Sequence, residues 1–372
     1  MAVRYRRMPI EIESPEQVGY DSITCNLTES SFADARLGDL TGDLVTELGS
    51  LVLCYGDHLG LPELRDAIAA DAGGSLRAEH VLVSPGAVAA LFFANTVLLG
   101  EPGSHLVVAR PNYATNIETP RAIGAGISFL DLAFEDDFAL DIDRLASLCR
   151  HGSVISLTYP HNPTGVTIDE PTLHSLVELV ERIGGRLLFD ETYREMVPGA
   201  PLPVAASLSD RVVSVSSLSK AFGLPGIRSG WAMTTDPVLF ESLLAAKEQI
   251  VITGSIVDET LALAAWRRRD EILGRMRATV GAHRAIVAGW IDAEPGVEWV
   301  APRGGAICFP RLGEHVDVEA FYARLATTGT MVGPGHWFEQ PDRSFRLGFG
   351  WPSTDELRLG LADLGSAISA AS

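Results

Sequence analysis

Of the 29 lysine and arginine residues in the chain, only Lys220 and Lys247 are lysines. A coding bias towards arginine accounts for that balance, but it leaves any amine-dependent chemistry two candidates. Lys220 has the suggestive neighbours. It lies in Ser217-Leu218-Ser219-Lys220-Ala221-Phe222-Gly223-Leu224-Pro225-Gly226-Ile227-Arg228-Ser229-Gly230-Trp231, directly after an apolar run. An amine in a dry pocket gives up its charge and can then condense with an aldehyde. Ser217 and Ser219 add hydroxyls and Arg228 a guanidinium able to grip phosphate through two bonds.

Further segments hold groups that such chemistry needs. Leu188-Phe189-Asp190-Glu191-Thr192-Tyr193 places Asp190 at the end of a buried run, where a carboxylate can keep a ring nitrogen protonated. In Tyr159-Pro160-His161-Asn162-Pro163-Thr164-Gly165, Asn162 can donate its amide into the crevice where α/β sheets bind ligands. Ser84-Pro85-Gly86-Ala87-Val88-Ala89 joins a strand to a helix, and free N–H groups at such a turn suit a phosphate. Taken singly these signals are ordinary, because glycine turns and acidic strand ends are common.

Their order along the chain resembles the class I/II aminotransferases, the fold-type I pyridoxal-phosphate enzymes. The S-x-S-K-x-x-x-x-x-G-x-R-x-G pattern around Lys220, N-P-T-G at Asn162 and D-E-x-Y at Asp190 carry the resemblance. Tyr55-Gly56-x-x-x-Gly60-x-x-x-Leu64-Arg65 and Phe345-Arg346-Leu347-Gly348 extend it, so that it covers roughly residues 50 to 350. The glycine turns Arg303-Gly304-Gly305-Ala306 and Val332-Gly333-Pro334-Gly335 fall in family positions too.

The resemblance implies pyridoxal 5'-phosphate bound as an imine on Lys220, with Lys220, Asp190 and Tyr193 as the catalytic set. It implies phosphate donors in the backbone of Gly86, Ala87 and Val88, with Ser217, Ser219 and Arg228, and Tyr55 reaching in from a partner subunit of a homodimer. Tyr113 would stack on the pyridine face, while Asn162 and Tyr193 would hold its ring oxygen. Arg346 would clamp a substrate carboxylate, again beside Asn162. The expected reaction begins when a small amino acid forms an external aldimine; transamination with a 2-oxo acid is the main reading. Elimination, replacement or cyclisation is the alternative, since the same residues serve all of them.

Two positions depart from the family pattern. His161 stands where asparagine is frequent and is read as solvated. Asn26-Leu27-Thr28-Glu29-Ser30-Ser31 replaces a glycine-containing turn, and Glu29 or Ser30 on the pocket wall would favour a polar or cationic substrate. Ser217-x-x-Lys220 also reads as the S-x-x-K of penicillin-binding enzymes, but neither S-D-N nor K-T-G occurs. An aminotransferase-like sensor of a transcription regulator would need a DNA-binding domain, for which the acidic stretch before Tyr55 is too short.

The elements that must position these groups follow from the pattern of apolar runs. Val81-Leu82-Val83, Leu106-Val107-Val108, Ile127-Ser128-Phe129-Leu130, Val154-Ile155-Ser156-Leu157, Leu187-Leu188-Phe189 and Val212-Val213-Ser214-Val215 read as buried strands. Helical spacing separates them, as over 86–99 and 169–183, which predicts an α/β fold with a mostly parallel sheet flanked by helices. Pro62 opens a helix. After Gly230 the pattern shifts to a long helical region, about 237–292, then short strands with helices near 317–327 and 354–370. That predicts a smaller α+β domain. The division expected is an N-terminal arm joining the small domain (1–40), a large cofactor-binding domain (41–240) and a small C-terminal domain (241–372).

The bulk properties fit. The 372 residues suffice for two domains, and a net charge of −19 leaves no basic surface for nucleic acid. Cys25, Cys54, Cys149 and Cys308 form no C-x-x-C pair, which points to free thiols, no structural metal and a reducing cytoplasm. The N-terminus has no apolar run of a signal peptide, and the most apolar stretch, 87–99, is too short to span a membrane.

Overall fold

The six apolar runs all become strands of one sheet in the computed structural model, which describes residues 3–40 and 44–372. They are β1 (Val81–Pro85), β2 (His105–Arg110), β3 (Gly126–Asp131), β4 (Val154–Thr158), β5 (Arg186–Asp190) and β6 (Val212–Ser217). A seventh, β7 (Ser229–Met233), completes the order β1-β7-β6-β5-β4-β2-β3. β7 alone runs against the others, wedged between β1 and β6. The apolar-run pattern misses it because Ser229 and Gly230 break its first half.

Alternate side chains sort onto two faces, as a sheet covered on both sides requires. Val81, Val83, Val107, Ile155, Leu187 and Phe189 face the helices Pro62–Ala72 and Glu170–Arg182. Leu82, Leu106, Val108, Leu188 and Val213 face Gly86–Leu99, Thr115–Ile123 and Pro237–Val251. The helical region after β7 is three helices, Pro237–Val251, Ile256–Arg267 and Arg269–Ala293. A break falls at Ile252, whose φ is +58°, and Ser255 caps the next helix by accepting from Asp258 N.

Towards the C-terminus, Phe345–Gly348 pairs antiparallel with Ile307–Cys308 and Gly333–Pro334, and the helices Val318–Ala326 and Thr354–Ala371 pack together. The N-terminal stretch, whose sequence reads as irregular to about residue 40, is ordered. Proline opens two single-turn helices, Pro9–Ile12 and Pro15–Val18, and Cys25–Asn26 pairs with Thr330–Met331. The domain boundary expected at residue 41 lies outside the described residues. Among those described, no helix is long and apolar enough to cross a membrane.

β7 can approach the β1 turn only because residue 230 is glycine. A Cβ there would lie 2.5 Å from Gly86 C and 2.6 Å from Ala87 N, both backbone atoms that cannot swing aside. Gly230→Ala is therefore expected to cost about 1–3 kcal/mol of stability, the usual penalty for overpacking. Urea unfolding of the purified variant measures it directly.

Candidate active site

The carboxyl ends of three central strands lie level, with Thr158 opposite Asp190 and Asp190 opposite Val215. Loops leaving β4, β5 and β6 therefore rise side by side, and a cleft of about 370 Å³ opens above them. Its wall gathers Glu29, Ala87, Val88, Tyr113, Asn162, Asp190, Tyr193, Ser217, Ser219, Lys220, Arg228 and Arg346. Two expected residues stand apart from it. Gly86 lies behind the wall, and Tyr55 is 78% exposed on the surface.

The two lysines part company here. Lys220 opens onto the cleft, whereas Lys247 is wholly buried and donates to the carbonyl of His58.

At one end of the cleft the donors form a cradle. The helix Gly86–Leu99 points its free N–H groups at it, beside Ser217, Ser219 and the Arg228 guanidinium. Gly86 has φ +78°, and a Cβ on it would sit 2.5 Å from Arg228 Nη2. The absent side chain is what lets the guanidinium lie against the turn. Arg228 itself adopts φ +43°, and its Nη1 donates to Pro225 O at 2.9 Å. Backbone strain of this kind collects at functional sites.

Asp190 occupies the floor. Its Oδ1 accepts from Thr192 N at 3.0 Å and from Thr192 Oγ1 at 2.5 Å, leaving the other oxygen for a partner. Burial raises its pKa, against the opposing pull of Thr192 and Lys220. A carboxylate so placed gains from a cation directly above it.

At the other end Arg346 is buried, and burial pulls its pKa down. Nη1 donates to Asn162 Oδ1 at 3.1 Å and Nη2 to Thr28 O at 2.7 Å, while Nε has no partner. Among the described residues no carboxylate lies within ion-pair distance of it. From Asn162 the chain of bonds continues: Nδ2 donates to Tyr193 Oη at 3.2 Å, and Tyr193 Oη donates to Ser30 Oγ at 2.9 Å. Tyr193 is pushed up to about 12, chiefly by burial.

Several wall residues carry no signal in the sequence. Ile10, Glu11, Ser14, Pro15 and Glu16 come from the two single-turn helices, too short for any period to show. They are pinned by Glu13, whose Oε2 accepts from Trp337 Nε1 at 2.8 Å and contacts His336 Nε2 at 2.8 Å. Thr192 and Ser30 act on Asp190 and Tyr193 through hydrogen bonds that no spacing rule announces. His161 corrects an expectation: it is buried, not solvated, with Nδ1 2.8 Å from Thr164 Oγ1, and burial lowers its pKa to about 4. It holds the turn that presents Asn162.

A phosphate cradle, a carboxylate needing a cation, a lysine between them and an unneutralised guanidinium opposite suit one kind of group. Pyridoxal phosphate brings an anion, a ring nitrogen able to carry a proton and an aldehyde, and the residues present fit each. Site and sheet together define a fold-type I, pyridoxal-phosphate-dependent enzyme. Residues 41–362 match the family described as aminotransferase class I and II, and the chain belongs to that family. It is 33% identical over 326 residues to capreomycidine synthase of Streptomyces vinaceus, covering 87% of this chain and 82% of that protein. A pyridoxal-phosphate-dependent aminotransferase from Streptococcus suis superposes with a TM-score of 0.91 at 26% identity, covering 100% of this chain and 99% of the other. The pyridoxal-phosphate-dependent cyclase OrfR superposes with a TM-score of 0.86 at 28% identity, over 99% of each chain.

Glu191, beside the floor, gives a pH signature. Its Oε1 accepts from Ala205 N at 3.0 Å and its Oε2 is buried with no partner among the described residues. Burial raises its pKa to about 7. The fold thus favours the protonated form, so stability falls as pH rises from the unfolded value, about 4.3, through about 7. Glu191→Gln should remove on the order of 1–3 kcal/mol of that loss, read as a flatter plot of urea midpoint between pH 5 and pH 8.

Proposed function

We propose that this enzyme acts on the α-carbon of an amino acid, with Lys220 moving the α-proton and Arg346 holding the α-carboxylate. The buried guanidinium of Arg346, which has no carboxylate in ion-pair contact among the described residues and lines the same cleft as Lys220, is the observation that carries the reading. When bound, pyridoxal phosphate supplies the electron sink for the pair released at the α-carbon. The helix start at Ala87 and Val88, with Gly86 behind it, would hold its phosphate together with Ser217, Ser219 and Arg228. Asp190 would hold a proton on its ring nitrogen, and Asn162 and Tyr193 would donate to its ring oxygen. Tyr113 would cover one ring face. Arg346 orients the substrate so that the α-proton is presented to the Lys220 amine, and the enclosing wall keeps water from that proton.

Transamination, with a 2-oxo acid as acceptor, is the first reading for the reaction. Ring closure on the same machinery is the second, favoured by the superposition on a cyclase at 28% identity over 99% of the chain. Incubation with an amino-acid panel separates them: a transaminase consumes the 2-oxo acid, and a cyclase turns over without it.

The working unit in this proposal is a cytoplasmic homodimer with shared sites. Val52, Leu53 and Tyr55 are 74%, 80% and 78% exposed, an apolar run that a partner subunit would cover. Tyr55 would then complete the partner's phosphate cradle. The two-domain reading, with the arm on the smaller domain, draws support from the pairing of Cys25–Asn26 with Thr330–Met331.

Lys220→Ala is expected to abolish turnover and the yellow colour that borohydride bleaches, and full activity in that variant would refute the mechanism. Mixing inactive Lys220→Ala with an impaired Tyr55→Ala chain should restore activity, since one hybrid site regains both residues. Absorbance and activity of the reannealed mixture check it.

A further inference from the structure

We propose that the enzyme selects an amino acid whose side chain carries a positive charge, bound by Glu29 and Glu16. The proposal rests on the reading of the cleft given above and adds the substrate class to it.

The cations on the cleft wall are Lys220, Arg228 and Arg346, and its carboxylates are Asp190, Glu11, Glu16 and Glu29. In the reading above every cation has a role, since Arg228 would meet phosphate, Lys220 the aldehyde and Arg346 the α-carboxylate. Asp190 would face the ring nitrogen. Glu11 is turned aside, because its Oε2 accepts from Met8 N at 2.8 Å in a helix cap. Glu16 and Glu29 remain. Glu16 lies near the Tyr20 hydroxyl, and among the described residues neither acid has a cation in ion-pair contact. Two like charges sharing one wall with no cation between them repel, and a cation placed there relieves both.

A second observation, independent of these acids, makes the place a ligand site. Arg346 is 5% exposed, its Nε has no partner among the described residues, and it lines the same cleft. A ligand anchored there by its carboxylate extends past Glu29, whose backbone lies against the Arg346 strand: a Cβ on Gly348 would meet Glu29 O. Outside the cleft lining, Tyr20 lies close to Glu16, Glu29 and Asp34. Tyr20 stacks on Trp351 with centroids 6.3 Å apart, and Trp351 Nε1 donates to Asp34 Oδ2 at 2.9 Å. Burial raises the pKa of Glu29, opposed by Lys220 and Arg346, while Glu16 and Asp34 add to the rise.

The test compares arginine with citrulline, its neutral isostere, on holoenzyme. Wild type is expected to favour arginine in kcat/KM, and Glu29→Gln to lower the arginine-to-citrulline ratio about 10- to 100-fold, the span of a hydrogen bond to a charged partner. Glu16, being more exposed, should give a smaller drop, and Glu29→Asp should recover part of the ratio. Titrating each amino acid against the cofactor absorbance supplies an independent binding ratio that must move in the same direction. A misfolded variant loses both substrates together, which leaves the ratio to Glu29→Asp and Glu16→Gln. Equal or better use of citrulline by wild type overturns the proposal while leaving the Lys220 reading intact. A cofactor spectrum that no amino acid perturbs removes both.

Discussion

One run of hydrogen bonds holds the site together: Thr28 O to Arg346, Arg346 to Asn162, Asn162 to Tyr193, and Tyr193 to Ser30. It begins and ends on the N-terminal strap and passes through three segments far apart in sequence. Among the described residues the guanidinium has no counter-ion, so its remaining neighbours must be held rigidly or the charge would draw in water. Backbone bonds brace the same strap: Phe32 N donates to Lys220 O at 3.0 Å and Gly348 N to Leu27 O at 2.7 Å. The chemistry thus sits where strap, sheet loops and the Arg346 strand meet, and displacing any of them disturbs all.

The sheet's contribution is alignment. Parallel strands in register deliver their loops to one edge, so Asn162, Asp190 and Lys220 arrive together although they lie far apart along the chain. The antiparallel β7 contributes differently, bringing Arg228 and Gly230 back beside the start of the β1 helix. Gly86 and Gly230 are both small for the same reason: guanidinium and backbone occupy the space their side chains would fill.

Much of this is legible in the sequence because it lies in contiguous segments. Lys220 with its serines, Asp190 at a strand end and Asn162 in its turn each announce a chemical type, and the apolar runs announce the strands that carry them. What the sequence hides depends on contacts between segments. β7 shows no apolar run because a glycine interrupts it, and its partners are set by topology. His161 reads as solvated, yet its burial follows from the Val166 and Thr164 side of the turn closing over it. Glu16 has no place on the wall by sequence alone, since two single-turn helices hold it there through Glu13, Trp337 and His336.

The fate of the second lysine reaches beyond catalysis. With Lys247 sealed in the core, Lys220 is the one lysine amine open to reagents from outside. Acylation, glycation or amine-directed cross-linking of this protein's lysines would thus strike the catalytic centre first, and a bound cofactor would shield it. The chain carries a built-in, single-position label for its own occupancy.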